Sequence, residues 1–280
     1  MPKTPSPLWP SRPIKPPYGA VEIDWAHPLA QKLSAYYLFN ELAPKATRNL
    51  VIPQTFSVNG TLPARPYGQR GAAFYAAWSL TTSDNPLLIT AAPFSVVVSA
   101  RNAVDTDGYP LAVGTTAANY VGLQYLASND RAVYNVKLGT GPAQSYSTNN
   151  LWSDRGGFHC IAGVSYAQNS HRLYFDGSAQ GTSSTDAGST YDFTSVNLGA
   201  ARATLITPFQ GEVEWAAVYN GRALTAADIL QLYADPYCFL RPIVRRSYGF
   251  LSTEAPPLEL TGESVTSRWG MSDPVTPSLL

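Results

Sequence analysis

Between residues 35 and 219 the chain alternates short β-prone runs with turn residues, and that punctuation leaves few folds open to it. AYYLFN at 35–40, FSVVVSA at 94–100, YVGLQY at 120–125 and AVYNV at 132–136 are rich in aromatic and β-branched side chains. HCIAGVSY at 159–166, HRLYF at 171–175, AQGT at 179–182, SVNLGA at 195–200 and GEVEWAAVY at 211–219 continue the series. Between them stand Gly, Asn, Asp and Ser, as in the Asp176-Gly177 turn. FSVVVSA is apolar almost throughout, which suits a strand covered on both faces. Short strands at regular spacing predict an all-β fold, a sandwich of two antiparallel sheets. One helix is expected: Thr225 and Asp228 make a capping box ahead of Ile229, Leu230, Leu232 and Tyr233, and Pro236 stops it.

Charge narrows the function classes. Only 14% of the 280 residues are charged, against about 25% in ordinary domains, and 19 basic side chains balance 19 acidic ones. Such a chain has no long-range field for nucleic acid or an anionic bilayer, so neither is expected as a partner. No run of about 18 apolar residues is present to span a membrane, and the proline-rich start lacks the apolar core of a signal peptide. The two cysteines, Cys160 and Cys238, read as free thiols rather than a disulfide framework.

The two ends differ from the middle. Residues 1–20 form an arm whose prolines at 2, 5, 7, 10, 13, 16 and 17 preclude helix and favour an extended chain. Residues 243–280 form a second arm with prolines at 256, 257, 274 and 277. Each carries one isolated tryptophan, Trp9 and Trp269. A tryptophan with no core of its own to enter suits a groove on a neighbouring subunit, where it can act as an assembly anchor. The expected organisation is therefore arm 1–20, sandwich 21–242 and arm 243–280.

Three motifs in sequence order carry a family resemblance across about residues 24–242. They are Asp24-Trp-Ala-His-Pro-Leu-Ala running into Tyr37-Leu-Phe-Asn, the hairpin His171-Arg-Leu-Tyr-Phe-Asp-Gly-Ser178, and a closing block. The closing block runs from Phe209-Gln-Gly211 through Tyr219-Asn220 and Arg222-Ala-Leu-Thr225 to Tyr233-Ala-Asp-Pro-Tyr-Cys-Phe-Leu-Arg-Pro242. Together they resemble laminin-G-like, concanavalin A-like domains of bacteriophage genomes. The resemblance implies a jelly-roll sandwich with a short C-terminal helix; for function it implies less, because the fold serves lectins, hydrolases and virion proteins alike. The chain departs from the pattern at Glu214-Trp215 and at Gly221.

Glu212 and Glu214 are the first catalytic candidates, since sugar hydrolases on this fold resemble E-x-D-x-x-E or E-x-D-x-E. Residues i and i+2 of a strand share a face, about 6.6 Å apart. Positions 216 and 217, where the last acid would fall, are alanines, so the pair lacks its partner. Plain alternation puts Glu212, Glu214, Ala216 and Val218 on a face that begins in solvent, with Val213, Trp215, Ala217 and Tyr219 toward the core. His27, His159 and His171 make no nucleophile–base pattern: a turn at 167–170 sets Tyr166 opposite His171 and His159 opposite Ser178, with Cys160 facing away from His159. Asp105-Thr-Asp107-Gly has spacing suited to calcium or to a simple turn, which leaves the metal question open. For sugar, Trp152 beside Asn150 and Asp154 is the candidate contact, with Tyr109, Tyr146 and Tyr191 as further aromatics.

These residues read as a non-enzymatic bacteriophage virion protein, a capsid decoration or fibre component, with no catalytic residues and no cofactor. The arms would fasten it to other virion proteins and to copies of itself. The alternative is a carbohydrate-binding module for host-surface glycans, and a glycoside hydrolase is the third reading.

Overall fold

The computed structural model describes residues 15–16, 21–39, 49–52, 56–60, 72–74, 78–82, 88–114, 119–138, 142–153, 156–188, 191, 193–201 and 207–243. In chain order the strands are β1 (Val21–Ile23), β2 (Leu33–Tyr37), β3 (Phe56–Gly60), β4 (Ala72–Phe74), β5 (Trp78–Thr82), β6 (Phe94–Asn102), β7 (Gly108–Gly114) and β8 (Asn119–Leu126). They continue with β9 (Arg131–Leu138), β10 (Pro142–Tyr146), β11 (His159–Ala167), β12 (Ser170–Phe175), β13 (Ser178–Ser183), β14 (Val196–Leu198) and β15 (Gly211–Asn220). Helix α1 (Ala226–Ala234) and β16 (Leu240–Pro242) close the series.

Two antiparallel sheets of seven strands face each other, as the alternation predicts. The central sheet has the order β13-β12-β11-β6-β15-β2, with β4 also on β15; the outer sheet has the order β10-β9-β8-β7-β14-β5-β3. Val96, Val98, Ile161, Leu173, Val213, Ala216 and Val218 of the central sheet meet Leu80, Leu111, Val121, Leu123, Tyr134 and Val136 of the outer one. The central sheet is buried on its other side as well, where Val97, Ala162, Val164, Trp215 and Tyr219 pack under Ile229 and Leu232 of α1 and under Leu29 and Phe239. This double burial is why β6 reads as an unbroken apolar run.

Close approach of the sheets is achieved by removing a side chain. A Cβ on Gly163 would lie 2.2 Å from the Tyr134 ring, so the ring occupies the space that any larger residue needs. Helix α1 begins as read: Thr225 Oγ1 accepts from Asp228 N at 3.1 Å, and Asp228 Oδ2 accepts from Thr225 N at 3.0 Å. Both termini of the sandwich meet in a two-stranded ribbon, with Val21 opposite Pro242 and Ile23 opposite Leu240.

Two bulges change the sequence reading. In the β11–β12 hairpin, Ser165 pairs with His171 and Ala167 with Ser170, so the irregularity falls at Tyr166 and Ser165, not Tyr166, faces the histidine. Tyr134 Oη and Ser165 Oγ are 2.8 Å apart, Ser165 Oγ lies 2.8 Å from His171 Nδ1, and His171 Nε2 lies 2.8 Å from the Gln168 carbonyl. A carbonyl only accepts, so Nε2 carries the proton, Nδ1 accepts from Ser165, and Ser165 accepts from Tyr134. Ser165 and His171 are both buried: this serine–histidine pair is a closed structural chain, without access to a substrate.

Burial lowers the His171 pKa from its ordinary 6.5. The unfolded chain then takes up a proton at a pH where the folded one does not. The contribution of His171 is therefore complete above about pH 6.5 and falls away as the pH drops toward the depressed folded value. Urea midpoints measured at about pH 7.5 and 5.5 should fall with acid more steeply for the native chain than for His171→Gln; equal slopes would refute this.

Candidate functional site

The glutamate pair comes first, because the second bulge decides its fate. The register of β15 against β6 shifts between Val213 and Trp215. A bulge inserts one residue and flips everything after it. Val213, Ala216 and Val218 therefore line the space between the sheets, whereas Trp215, Ala217 and Tyr219 lie under the helix. The plain alternation of the sequence placed Ala216 and Val218 on the glutamate face, and the structure corrects it.

Neither glutamate begins in solvent: Glu212 is 2% exposed and Glu214 1%. Glu212 Oε1 takes the Arg101 guanidinium at 2.5 Å. Glu214 Oε2 accepts from Ser99 Oγ at 2.9 Å, and the Tyr237 hydroxyl stands 3.5 Å from Oε1. The Lys15 ammonium donates to the main-chain carbonyls of Glu214, at 2.8 Å, and Phe39, at 3.1 Å. The pair is thus built into the outer side of the central sheet, with cationic and hydroxyl partners and no third carboxylate at 216 or 217.

The remaining candidates separate into core and surface. Trp152 is fully buried, with ring centroids of Tyr125, Phe175, His159 and Phe209 at 5.2, 5.9, 6.2 and 6.3 Å. It is a core residue, and the sequence reading of it as a sugar platform is corrected: the indole turns fully inward and Leu151 packs beside it against the core, while Asn149, Asn150 and Ser153 stay exposed. Asn150 remains exposed in the same loop, with left-handed backbone at φ 58. Asp154, Trp9 and Trp269 lie outside the described residues. Tyr191 packs edge-on against Phe94 and Phe193 in the core.

His27 caps a short turn by accepting from Leu29 N at 3.1 Å. His159 Nδ1 donates to Asp176 Oδ2 at 2.7 Å. The Tyr125 hydroxyl sits between Asp105 Oδ1, at 3.0 Å, and Asp130 Oδ1, at 2.5 Å, while Asp107 accepts from Ala127 N at 2.8 Å. Burial, then these two carboxylates, raise the Tyr125 pKa far above the usual phenol range. Among the described residues no group of three His, Cys, Asp or Glu side chains is placed to hold a metal ion.

Two of the sequence's secondary candidates come together. Tyr109 on β7 and Tyr146 on β10 both lie on the far side of the outer sheet, joined by a chain of amides across β8 and β9. Tyr109 lies over Gly122, where a Cβ would come within 2.7 Å of its ring. Its hydroxyl is 3.3 Å from that of Tyr120, and the two rings meet edge to face at 5.9 Å. Asn135 Nδ2 donates to Tyr109 Oη at 3.3 Å and to Gln124 Oε1 at 2.9 Å. Gln144 Nε2 donates to Asn135 Oδ1 at 2.6 Å, and Tyr146 Oη donates to Gln144 Oε1 at 2.5 Å. The Arg131 guanidinium lies 4.2 Å over the Tyr146 ring. Burial raises the Tyr109 pKa, with Tyr120 adding to it, so the phenol stays a donor at any ordinary pH.

Among the described residues no helix or third sheet packs over this side of β8–β10. Tyr120, Gln124 and Gln144 are half-buried and Tyr146 is 36% exposed. Tyr109 and Asn135 are buried and fix the network from beneath, so the surface consists of Tyr120, Gln124, Gln144 and Tyr146, amides and phenols that can hydrogen-bond and stack as a sugar requires. The signal was present in the sequence as period-two alternation: Tyr120, Gly122 and Gln124 interleave with core residues, as do Asn135 and Lys137, and Gln144 and Tyr146.

The two-sheet jelly roll, with one short helix among the described residues, defines a lectin-like sandwich domain. The chain belongs to the concanavalin A-like lectin/glucanases superfamily, whose laminin-G-type family model matches residues 76–230. No curated protein matches the sequence. Among solved structures it is similar to the binding domain of botulinum neurotoxin serotype D/C, with 10% identity and a TM-score of 0.56 over 73% of this chain and 52% of that one. The serotype C1 binding domain has 9% identity and a TM-score of 0.54 over the same shares. Domain 4 of AbnA, a GH43 extracellular arabinanase from Geobacillus stearothermophilus, solved with arabinotriose, has 16% identity and a TM-score of 0.49, covering 72% of this chain and 98% of that domain. The chain spans about half the length of the neurotoxin binding domains it matches. At these identities the likeness is one of fold.

Proposed function

We propose that this chain is a non-enzymatic bacteriophage virion structural protein, a capsid decoration or fibre component. Its sandwich would hold host-surface glycans on the outer sheet, and its arms would fasten it to neighbouring virion subunits and to copies of itself. The observation that carries the glycan reading is the Tyr109–Asn135–Gln144–Tyr146 array, whose Gln144 and Tyr146 reach the surface on a sheet side over which no described helix or third sheet packs. Membership of a family of lectins and glucanases favours a sugar ligand. Against hydrolysis stands the burial of Glu212 and Glu214 with Arg101, Ser99 and Tyr237.

Two observations support the assembly reading. The closing block of the sequence resembles phage domains, and the ribbon brings the two ends of the sandwich together, Val21 against Pro242. Arms that start side by side can reach one neighbouring surface together, and repeated display turns weak sugar contacts into avidity. Lys15, held on the body's own carbonyls, marks where the first arm meets the sandwich.

The test is retention of the full chain on immobilised polysaccharides, with assay of released reducing ends. Retention should be lost in the Gln144→Ala, Tyr146→Ala double variant with its unfolding midpoint unchanged, and no reducing ends should appear. Sugar release that disappears in Glu212→Gln would refute the non-enzymatic reading. Chains lacking 1–20 or 243–280 should no longer join phage particles; normal incorporation of both would refute the role of the arms.

A further inference from the structure

The glycan reading leaves the ligand's charge open, and the same face specifies it. Strand β9 presents Arg131, Val133, Asn135 and Lys137 on the far side of the outer sheet, since Asn135 faces Gln124 and Gln144 there and successive side chains alternate. Arg131 and Lys137 are thus about 20 Å apart along one strand, with the amide network between them.

Neither cation is neutralised. Arg131 stacks on Tyr146, but its Nε is buried without a hydrogen-bond partner. Among the described residues, neither Arg131 nor Lys137 makes an ion pair. The four strands β7 to β10 carry no aspartate or glutamate at all: GYPLAVG, NYVGLQYL, RAVYNVKL and PAQSY. The acids at the end of the face are committed elsewhere, Asp105 and Asp130 to the Tyr125 hydroxyl and Asp107 to Ala127 N. In a chain with 19 charges of each sign, a strand-long stripe bearing only unpaired cations is a local excess. Arg131 as a whole is half-buried, and its guanidinium, without an ion pair among the described residues, has N–H donors that an anion would satisfy.

We infer that the outer-sheet face takes an acidic polysaccharide, read lengthwise along β9, with the acid groups of the sugar at Arg131 and Lys137 and its hydroxyls on Gln124 and Gln144, which the buried Asn135 holds in place. This rests on the glycan reading and adds the charge of the ligand. Carboxylated and sulfated sugars share the chemistry, and the experiment separates them.

The full chain is tested on two polymer pairs that differ only in charge: polygalacturonate against its fully methyl-esterified form, and dextran sulfate against dextran. Binding to at least one charged member should exceed that to its neutral twin by about tenfold or more, the scale of one charge-assisted hydrogen bond. The Arg131→Gln, Lys137→Gln double variant should abolish the preference at an unchanged unfolding midpoint. Arg172→Gln, which removes an exposed cation on the other sheet, should leave it intact. Equal binding of charged and neutral twins overturns the acidic preference while the glycan reading stands. Loss in Arg172→Gln as large as in the double variant means bulk charge and also overturns it. Retention of none of the four polymers removes both.

Discussion

Replacing Trp152 with alanine will destabilise the fold by about 3–5 kcal/mol, the range for deleting a large buried aromatic. The indole is fully buried where the 147–153 loop closes one end of the space between the sheets, with four aromatic rings around it. Collapse of neighbours into the gap is restricted, because Phe175 and Phe209 are themselves held by the core. Trp152→Phe will cost much less, since the indole Nε1 has no hydrogen-bond partner to lose. Urea unfolding at neutral pH measures both. A Trp152→Ala chain that loses sugar retention while keeping native stability would restore the indole as a binding platform and contradict its burial.

The second large effect is at Arg101. Arg101→Met removes the cation paired with Glu212 and leaves a carboxylate that is 2% exposed. Removing one partner of a buried pair costs roughly 3–5 kcal/mol. The Arg101 side chain is 34% exposed, so water screens part of the interaction and about 2–3 kcal/mol is expected here. Adding Glu212→Gln to Arg101→Met removes the stranded charge and should recover most of the loss. Failure of that rescue, or a loss below about 1 kcal/mol, would mean that Glu212 does not depend on the guanidinium.

Much of the architecture was legible because it rests on patterns that local chemistry fixes. FSVVVSA demanded cover on two faces and received it from the outer sheet and from α1. Thr225 and Asp228 dictated where the helix starts. What escaped was of two kinds. A bulge adds one residue without a compositional mark, so the faces of Ala216 and Val218, and the partner of His171, could not be read by counting. Tertiary burial can also oppose the local neighbourhood: Trp152 stands among Asn, Ser and Asp yet enters the core, while Tyr109, Tyr120, Tyr146 and the amides of β8 to β10 lie on the far side of strands that look mainly structural. Strands β1 and β16 span only three residues each, too few for alternation to register.

That terminal ribbon has a practical corollary for engineering. Because the body's entry and exit points are cross-strand neighbours, about 5 Å apart, a tight turn could seal them and new ends could be opened at an exposed hairpin such as Gln168-Asn169. For the same reason the whole unit could be grafted into a surface loop of an unrelated scaffold, with almost no gap to bridge and no strand to stretch.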